Sequence, residues 1–122
     1  MATILVIDDE TGVRVALERI LTQSGHEVLS ASDGKEALRI HHKRPADLVI
    51  VDVFMPDQDG LETITAFRKD FPHVTIIAIS GGYDASGAML SIARELGAAR
   101  ILEKPFDYET LLRSVDEVLQ VA

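Results

Sequence analysis

Two kinds of segment alternate five times along the chain, and this alternation constrains the fold more than any other feature. Short apolar runs rich in β-branched residues occupy residues 4–7, 27–29, 48–51, 74–79 and 99–102. Apolar residues at helical spacing follow each run, at residues 13–21, 37–40, 61–68, 89–96 and 111–119. This order predicts right-handed βαβ units, and therefore an α/β domain with a doubly wound parallel sheet covered by helices on both faces.

The apolar runs differ in a way that predicts their places in the sheet. The runs at 4–7, 48–51 and, apart from Thr75, 74–79 are continuously apolar and do not alternate, which is typical of central strands buried on both faces. The runs at 27–29 and 99–102 are shorter or more mixed and suit edge strands. Asp33 and Asp59 each precede a glutamate by three residues, which predicts helix starts. Gly25 and Gly97 each follow an apolar stripe and predict helix ends.

Length and composition describe an ordinary globular protein. The chain has 122 residues, so we expect one domain spanning residues 1–122, and its last helix is expected to reach Ala122 with no output domain behind it. Cysteine is absent, which excludes disulfides and thiolate chemistry. We find no signal peptide and no membrane-length apolar run, so we expect a cytoplasmic protein. We also expect a monomer or weak dimer. The net charge of −8 argues against direct nucleic-acid binding.

Chemically useful side chains follow four of the predicted strands. Asp8 and Asp9 follow the first strand, Asp52 the third, Ser80 the fourth and Lys104 the fifth. Each has a simple structural explanation when taken alone, as a helix cap, a turn residue or a solvated lysine. However, ligands bind at the carboxyl ends of the strands in open parallel sheets, where these residues would meet. Their joint placement favours a functional site.

The residue types indicate which chemistry this site would support. Clustered carboxylates repel one another and lose solvation, so they imply a bound cation. Oxygen ligands favour Mg²⁺ or Mn²⁺ over zinc, and Mg²⁺ commonly binds phosphate oxygens as well. Lys104 suits one phosphate oxygen and the Ser80 hydroxyl can donate to another. Asp52 lies in the middle and is placed to act as a nucleophile.

Four motifs in this order resemble the receiver domain of response regulators, and the resemblance covers the whole chain. They are ILVIDDE at 4–10, DLVIVDVFMPDQDG at 47–60, IIAISG at 76–81 and EKPF at 103–106. The resemblance implies a flavodoxin-like fold with strand order 2-1-3-4-5. It also implies that Asp52 accepts a phosphoryl group from a sensor histidine kinase or a histidine phosphotransfer protein. Phosphorylation would then switch contacts with an unidentified downstream protein.

The same resemblance assigns the metal ligands. Asp9 and Asp52 would bind Mg²⁺ directly, with Mn²⁺ able to substitute. The main-chain carbonyl of Phe54 would be a third protein ligand, and Asp8 would act through water.

Further roles follow from the same resemblance. Ser80 and Lys104 would hold phosphate oxygens, and the peptide bond between Lys104 and Pro105 is expected to be cis. Pro56 and Gly60 would shape the loop after the acceptor. Ser80 would move towards the phosphate, carry residues 81–83 with it and shift a pre-existing two-state equilibrium.

Three positions depart from the family pattern. Ile101 replaces an aromatic residue whose rotamer usually reports phosphorylation. Because a β-branched side chain is stiff, we predict that Ile101 is a static packing residue. Phe54 and Gly82 offer no polar side chain to orient an attacking water, so we predict a long-lived aspartyl phosphate.

Two other classes of function remain open beside the receiver. One is a docking module of the same fold that is never phosphorylated, which the intact acidic site argues against. The other is an enzyme. A phosphatase with an aspartyl nucleophile would need a second acid at position 54, and a cofactor-binding flavodoxin-like protein would need a glycine-rich loop in place of Asp8 and Asp9.

The histidines and methionines have simpler interpretations. We predict surface positions for all four histidines because they lie in or beside helix ends and turns, and no pair has metal-binding spacing; they are His26, His41, His42 and His73. Met55 and Met89 are predicted to be packing or interface residues.

Overall fold

Strands and helices alternate throughout the computed structural model, which describes residues 2–53, 55, 59–80, 88–104 and 106–120. The strands are β1 (Thr3–Ile7), β2 (Glu27–Ala31), β3 (Leu48–Asp52), β4 (Thr75–Ser80) and β5 (Arg100–Glu103). The helices are α1 (Thr11–Gln23), α2 (Gly34–Lys43), α3 (Asp59–Asp70), α4 (Ala88–Glu95) and α5 (Tyr108–Gln120). The predicted extension of the last helix to Ala122 lies outside the described residues.

All four strand pairings are parallel, and the sheet order is β2-β1-β3-β4-β5. This confirms the flavodoxin-like α/β fold. The three runs predicted to be central form β1, β3 and β4 in the middle of the sheet, and the two shorter or more mixed runs form the edges. The difference in burial explains the pattern, because β3 is buried along its whole length whereas β5 is largely exposed.

Each central strand contributes to two separate cores, one on each face of the sheet. Side chains alternate between the faces, so Leu5 belongs to one core and Ile4 to the other. The first core packs against α2, α3 and α4, and includes Phe67. The second packs against α1 and α5, and includes Leu17 and Leu111. The carboxyl ends of the strands emerge between these two helical layers.

Helix ends agree with the signals read from the sequence. The Asp33 side chain accepts a hydrogen bond from the Glu36 main-chain N–H at 2.8 Å and so caps α2. Gly25 and Gly97 have φ values of 94° and 107°, a left-handed conformation that glycine adopts without strain. Helix α3 begins at Asp59, and the side chain predicted to cap it lies outside the described residues.

The surface prediction for His41 is wrong. His41 is only 3% exposed, and its Nδ1 accepts a hydrogen bond from the Ala46 main-chain N–H at 3.0 Å. Its ring packs edge-on against Phe71 and Phe67, at centroid distances of 4.4 and 5.3 Å. Burial, reinforced by the neighbouring His42, lowers the pKa of His41 below its usual value of 6.5, so the ring is held neutral. Its aromatic neighbours are 26 or more positions away in sequence, which a local pattern does not reveal.

The apolar stripe on α4 is narrower than predicted. Ala93 is buried and Leu96 packs against the first core, but Ile92 is 43% exposed. Adjacent helical residues point about 100° apart, so the sheet covers only one of the neighbours Ile92 and Ala93. Ile101 is partly buried against the same core, and its static behaviour stays a prediction.

Of the two methionines, Met55 is buried in the first core, as predicted for a packing residue, while the side chain of Met89 lies outside the described residues. Within the described ranges, no helix has both the length and the apolar character required to cross a membrane.

Candidate functional site

The carboxyl edge of the sheet collects the polar residues that the sequence singled out. Asp8 directly follows β1, and Lys104 directly follows β5. Asp52 and Ser80 are the last residues of β3 and β4, which extend one residue past their apolar runs. Because the strands are parallel and in register, their ends bring these side chains to one edge.

Lys104 lies between two buried carboxylates. Its Nζ is 3.4 Å from Asp52 Oδ2 and 3.5 Å from Asp8 Oδ2. Asp8 is 1% exposed and Asp52 is 3% exposed, so solvent screens neither pair strongly. Burial by itself would lower the pKa of Lys104, but attraction to Asp52 and Asp8 outweighs it and raises the pKa. The side chain is therefore a fixed positive charge at neutral pH.

Hydrogen bonds hold Asp8 at its main chain and at Oδ1, while its Oδ2 forms an ion pair with Lys104. Its main-chain N–H donates to the Ala31 carbonyl at 3.2 Å, and its Oδ1 accepts from the Glu10 main-chain N–H at 2.9 Å. Among the described residues, Oδ2 has no hydrogen-bond partner. Burial raises the pKa of Asp8, and the hydrogen bond from Glu10 and the charge of Lys104 oppose that shift.

Three carboxylates converge closely enough to share one cation. Ligand atoms of Asp8, Asp9 and Asp52 all lie within 4.8 Å of one another. Asp9 is exposed while the other two are buried, so an ion could enter from the Asp9 side. The unsatisfied Oδ2 of Asp8 is the kind of atom that a cation and its waters would satisfy. This oxygen-only set fits a hard divalent ion such as Mg²⁺.

Gly60 lets α3 approach the end of β3 closely. A Cβ at this position would overlap the Asp52 carbonyl oxygen and the Val53 Cα. The first turn of α3 therefore packs directly on the main chain that carries Asp52. The predicted role of Gly60 in shaping the loop after Asp52 stays a prediction.

The main chain fixes the neighbouring strand ends. The Val53 N–H donates to the Ile79 carbonyl at 2.8 Å, and the Lys104 N–H donates to the Ser80 carbonyl at 2.8 Å. The hydrogen bonds between strands therefore continue to the ends that carry Asp52, Ser80 and Lys104.

Not every predicted feature of the site falls on described residues. Ser80 is buried at the end of β4, beside β3 and β5, and its predicted contact with phosphate stays a prediction. The Phe54 carbonyl, Pro56, the loop 81–83 and the bond to Pro105 lie outside the described residues.

The site also contains one residue that the sequence did not indicate. Arg14, in the first turns of α1, donates a hydrogen bond from its guanidinium to the Asp8 carbonyl oxygen at 2.7 Å. The spacing of six residues crosses a strand end, a loop and a helix start, so neither strand nor helix periodicity could have predicted the contact.

Comparison with known proteins agrees with this geometry. The family model described as response regulator receiver domain matches residues 4–116. The crystal structure of the receiver domain of NtrX from Brucella abortus superposes with a TM-score of 0.90 at 30% identity, covering 98% of this chain and 99% of that one.

Two curated relatives differ in how much of their length is matched. Sporulation initiation phosphotransferase F from Bacillus subtilis (strain 168) is 29% identical over 95% of this chain and 92% of its own length. A probable transcriptional regulator, ycf27, from Guillardia theta is 37% identical over 96% of this chain but 45% of its own length. The chain spans less than half the length of the first curated relatives it matches.

Proposed function

The chain belongs to the response regulator receiver domain family, and from this premise we propose that Asp52 is its phosphoryl acceptor in a two-component phosphorelay. The observation that carries the proposal is the position of Asp52, buried at a strand end, 3.4 Å from a cationic lysine and within a cluster of three carboxylates. Such a carboxylate is oriented and partly charge-compensated before a phosphoryl donor arrives.

The donor would be a phosphohistidine on a sensor histidine kinase or a histidine phosphotransfer protein. A carboxylate oxygen of Asp52 forms a bond to phosphorus while the bond from phosphorus to the imidazole nitrogen breaks. The imidazole keeps the electron pair of that bond and can then take up a proton. In-line transfer of this kind requires positioning and charge neutralisation more than acid–base chemistry.

Asp8, Asp9 and Asp52 would hold Mg²⁺, or Mn²⁺ in its place, with the Phe54 carbonyl as a further ligand. The ion supplies positive charge for the oxygens of the transferring phosphoryl group. Lys104 can turn from the carboxylates to one of these oxygens because its Nζ already lies beside Asp52. Ser80 would donate its hydroxyl hydrogen to another oxygen.

The modified site would act through contacts with a downstream protein. Adding a phosphoryl group places roughly −1.5 to −2 charges at Asp52, which biases a two-state equilibrium involving Ser80 and the loop 81–83. The chain would act as a phosphoacceptor with slow self-dephosphorylation, and not as an enzyme that turns over external substrates. A cytoplasmic location and the absence of direct nucleic-acid and membrane contacts stay predictions from the sequence.

Incubation with acetyl phosphate and Mg²⁺, followed by intact-mass analysis, tests the proposal. We expect wild type to gain the mass of one phosphoryl group and Asp52→Asn to gain none. Asp70→Asn, at an exposed position at the end of α3, is the matched control and should gain the same mass as wild type. If wild type takes up no phosphoryl group while Mg²⁺ binds, the chain is better described as a docking module that is not phosphorylated.

A further inference from the structure

The loop between β1 and α1 carries two of the three clustered carboxylates but lacks the usual helix cap. Glu10 occupies the cap position of α1, and within the described part of the chain its side chain makes no capping hydrogen bond. A cap of that kind normally fixes how a loop enters a helix. Some other contact must therefore restrain Asp8 and Asp9 relative to α1.

Arg14 makes that contact from within the helix. Its main-chain N–H donates to the Glu10 carbonyl at 3.0 Å, as the first turn of α1 requires. Its guanidinium reaches back to the Asp8 carbonyl oxygen at 2.7 Å, with a longer contact of 3.5 Å to Thr11 Oγ1. One residue thus joins the helix to both ends of the three-residue acidic segment. A charge-assisted bond of this length is among the stronger hydrogen bonds in proteins.

We infer that Arg14 is a positioning residue for the cation-binding carboxylates, an inference that rests on the proposed function. The Asp8 main chain is held at its N–H by Ala31 and at its carbonyl by Arg14, while Glu10 holds Oδ1. These restraints leave Oδ2 directed at the shared cluster. In this proposal Arg14 binds neither the phosphoryl group nor the cation, and acts through the conformation of Asp8 and Asp9.

Electrostatics and positioning predict opposite results when Arg14 is removed. A guanidinium near three carboxylates repels an incoming cation, so loss of its charge alone would tighten Mg²⁺ binding. Loss of the hydrogen bond would instead release the acidic segment and weaken Mg²⁺ binding. Residues that orient metal ligands typically change affinity by roughly 10- to 100-fold when mutated. The direction of the change therefore separates the two effects.

Isothermal titration with Mg²⁺, at matched ionic strength and in the absence of phosphoryl donors, provides the measurement. We expect Arg14→Met to raise the dissociation constant about tenfold. Arg14→Lys, which retains a donor and the charge, should recover part of the affinity. Arg19→Met is the matched control, because Arg19 is exposed on the same helix and the substitution removes the same charge. This control should leave the dissociation constant unchanged or slightly lower.

Phosphoryl uptake from acetyl phosphate gives a second measurement. If Arg14 acts through the cation site, Arg14→Met should need more Mg²⁺ for half-maximal rate yet approach the wild-type rate at saturating Mg²⁺. A rate that stays low at saturation would overturn the inference, as would a dissociation constant for Arg14→Met equal to or below that of wild type. Failure of wild type itself to bind Mg²⁺ would overturn the proposed metal site and the inference together. Normal Mg²⁺ binding by both wild type and Arg14→Met would overturn only the inference about Arg14.

Discussion

Replacement of Lys104 by methionine should destabilise the metal-free protein. The substitution keeps most of the side-chain volume and removes only the ammonium group that lies between Asp8 and Asp52. In the described part of the chain, this ammonium makes the one ion pair of Asp8, whose Oδ2 has no hydrogen-bond partner there. Without it, a buried carboxylate loses its counter-charge.

The magnitude follows from the two distances. Each pair, at 3.4 or 3.5 Å, has a Coulomb energy of about 5 kcal/mol at an effective dielectric constant of 20. Desolvation of the charges offsets much of this, and breaking one side of a buried pair typically costs about 3–5 kcal/mol. Protonation of Asp8 limits the loss, because burial already raises its pKa. We therefore expect Lys104→Met to lose about 2–4 kcal/mol near neutral pH, or roughly 10 °C in Tm.

The pH dependence of this loss has a definite sign. An acid whose pKa is raised in the folded state binds protons more tightly there than in the unfolded chain. Ionisation of Asp8 therefore lowers the free energy of unfolding as pH rises from about 3.8, its usual pKa, through its raised pKa in the folded state. Loss of Lys104 raises the pKa of Asp8 further, so the stability gap between Lys104→Met and wild type should widen with increasing pH and narrow towards pH 5.

Urea unfolding in EDTA, repeated at pH 5 and pH 7.5, would measure both effects. Lys35→Met, at an exposed position on α2, is the matched control and should change stability by less than about 0.5 kcal/mol. Added Mg²⁺ should stabilise Lys104→Met more than wild type, because the ion no longer competes with the ammonium for the same oxygens. Equal stability of the variant and wild type at pH 7.5 without metal would refute the reasoning.

Three further perturbations have definite expected outcomes. Gly60→Ala forces the main chain beneath α3 to move, so it should lower the free energy of unfolding by at least about 2 kcal/mol and slow phosphoryl uptake. The control is Gly12→Ala, where no described atom lies within 4 Å of the added Cβ, and it should be neutral or stabilise the fold by up to about 1 kcal/mol. The free energy of unfolding of wild type should fall as pH drops below about 6.5, because His41 takes up a proton in the unfolded chain but not when it is buried. In urea titrations, the free energy of unfolding of His41→Gln should depend less steeply on pH in this range. The exposed control His73→Gln should keep the wild-type pH dependence. Phe54→Asn should speed release of inorganic phosphate from the phosphorylated chain, and an unchanged or slower release would contradict the predicted long lifetime.

The sequence predicts the fold correctly because the pattern of apolar residues in each segment agrees with the burial of that segment in the whole fold. Val49 and Ile50 lie in a run that is apolar on both faces, and each does pack into a different core. The apolar runs stop one residue before β3 and β4 end, because Asp52 and Ser80 are polar but still pair in the ladder. This difference does not affect the prediction of the site, because the order of the strands, and not their exact length, brings the residues together.

The sequence was less informative where the contact partners lie far apart or in irregular segments. The sequence neighbours of His41 are typical of a surface helix. His41 is buried because its ring packs against Phe67 and Phe71, which are distant in sequence. The sequence around Arg14 does not indicate its contact with the Asp8 carbonyl oxygen, because that contact depends on the path of the loop before α1. Side-chain contacts of this kind depend on tertiary geometry, which periodicity does not encode.

Charge balance at the site explains why a divalent ion fits it. With all groups ionised, the three clustered carboxylates and the ammonium of Lys104 sum to −3 + 1 = −2. A divalent cation brings that total to zero, whereas a monovalent cation leaves one buried negative charge. Phosphorylation of Asp52 replaces a carboxylate of charge −1 by a group of roughly −1.5 to −2, so a metal-free site would become still more negative. Transfer should therefore depend on the divalent ion, and chelation by EDTA should suppress phosphoryl uptake more strongly than it reduces the folded stability of the unphosphorylated chain.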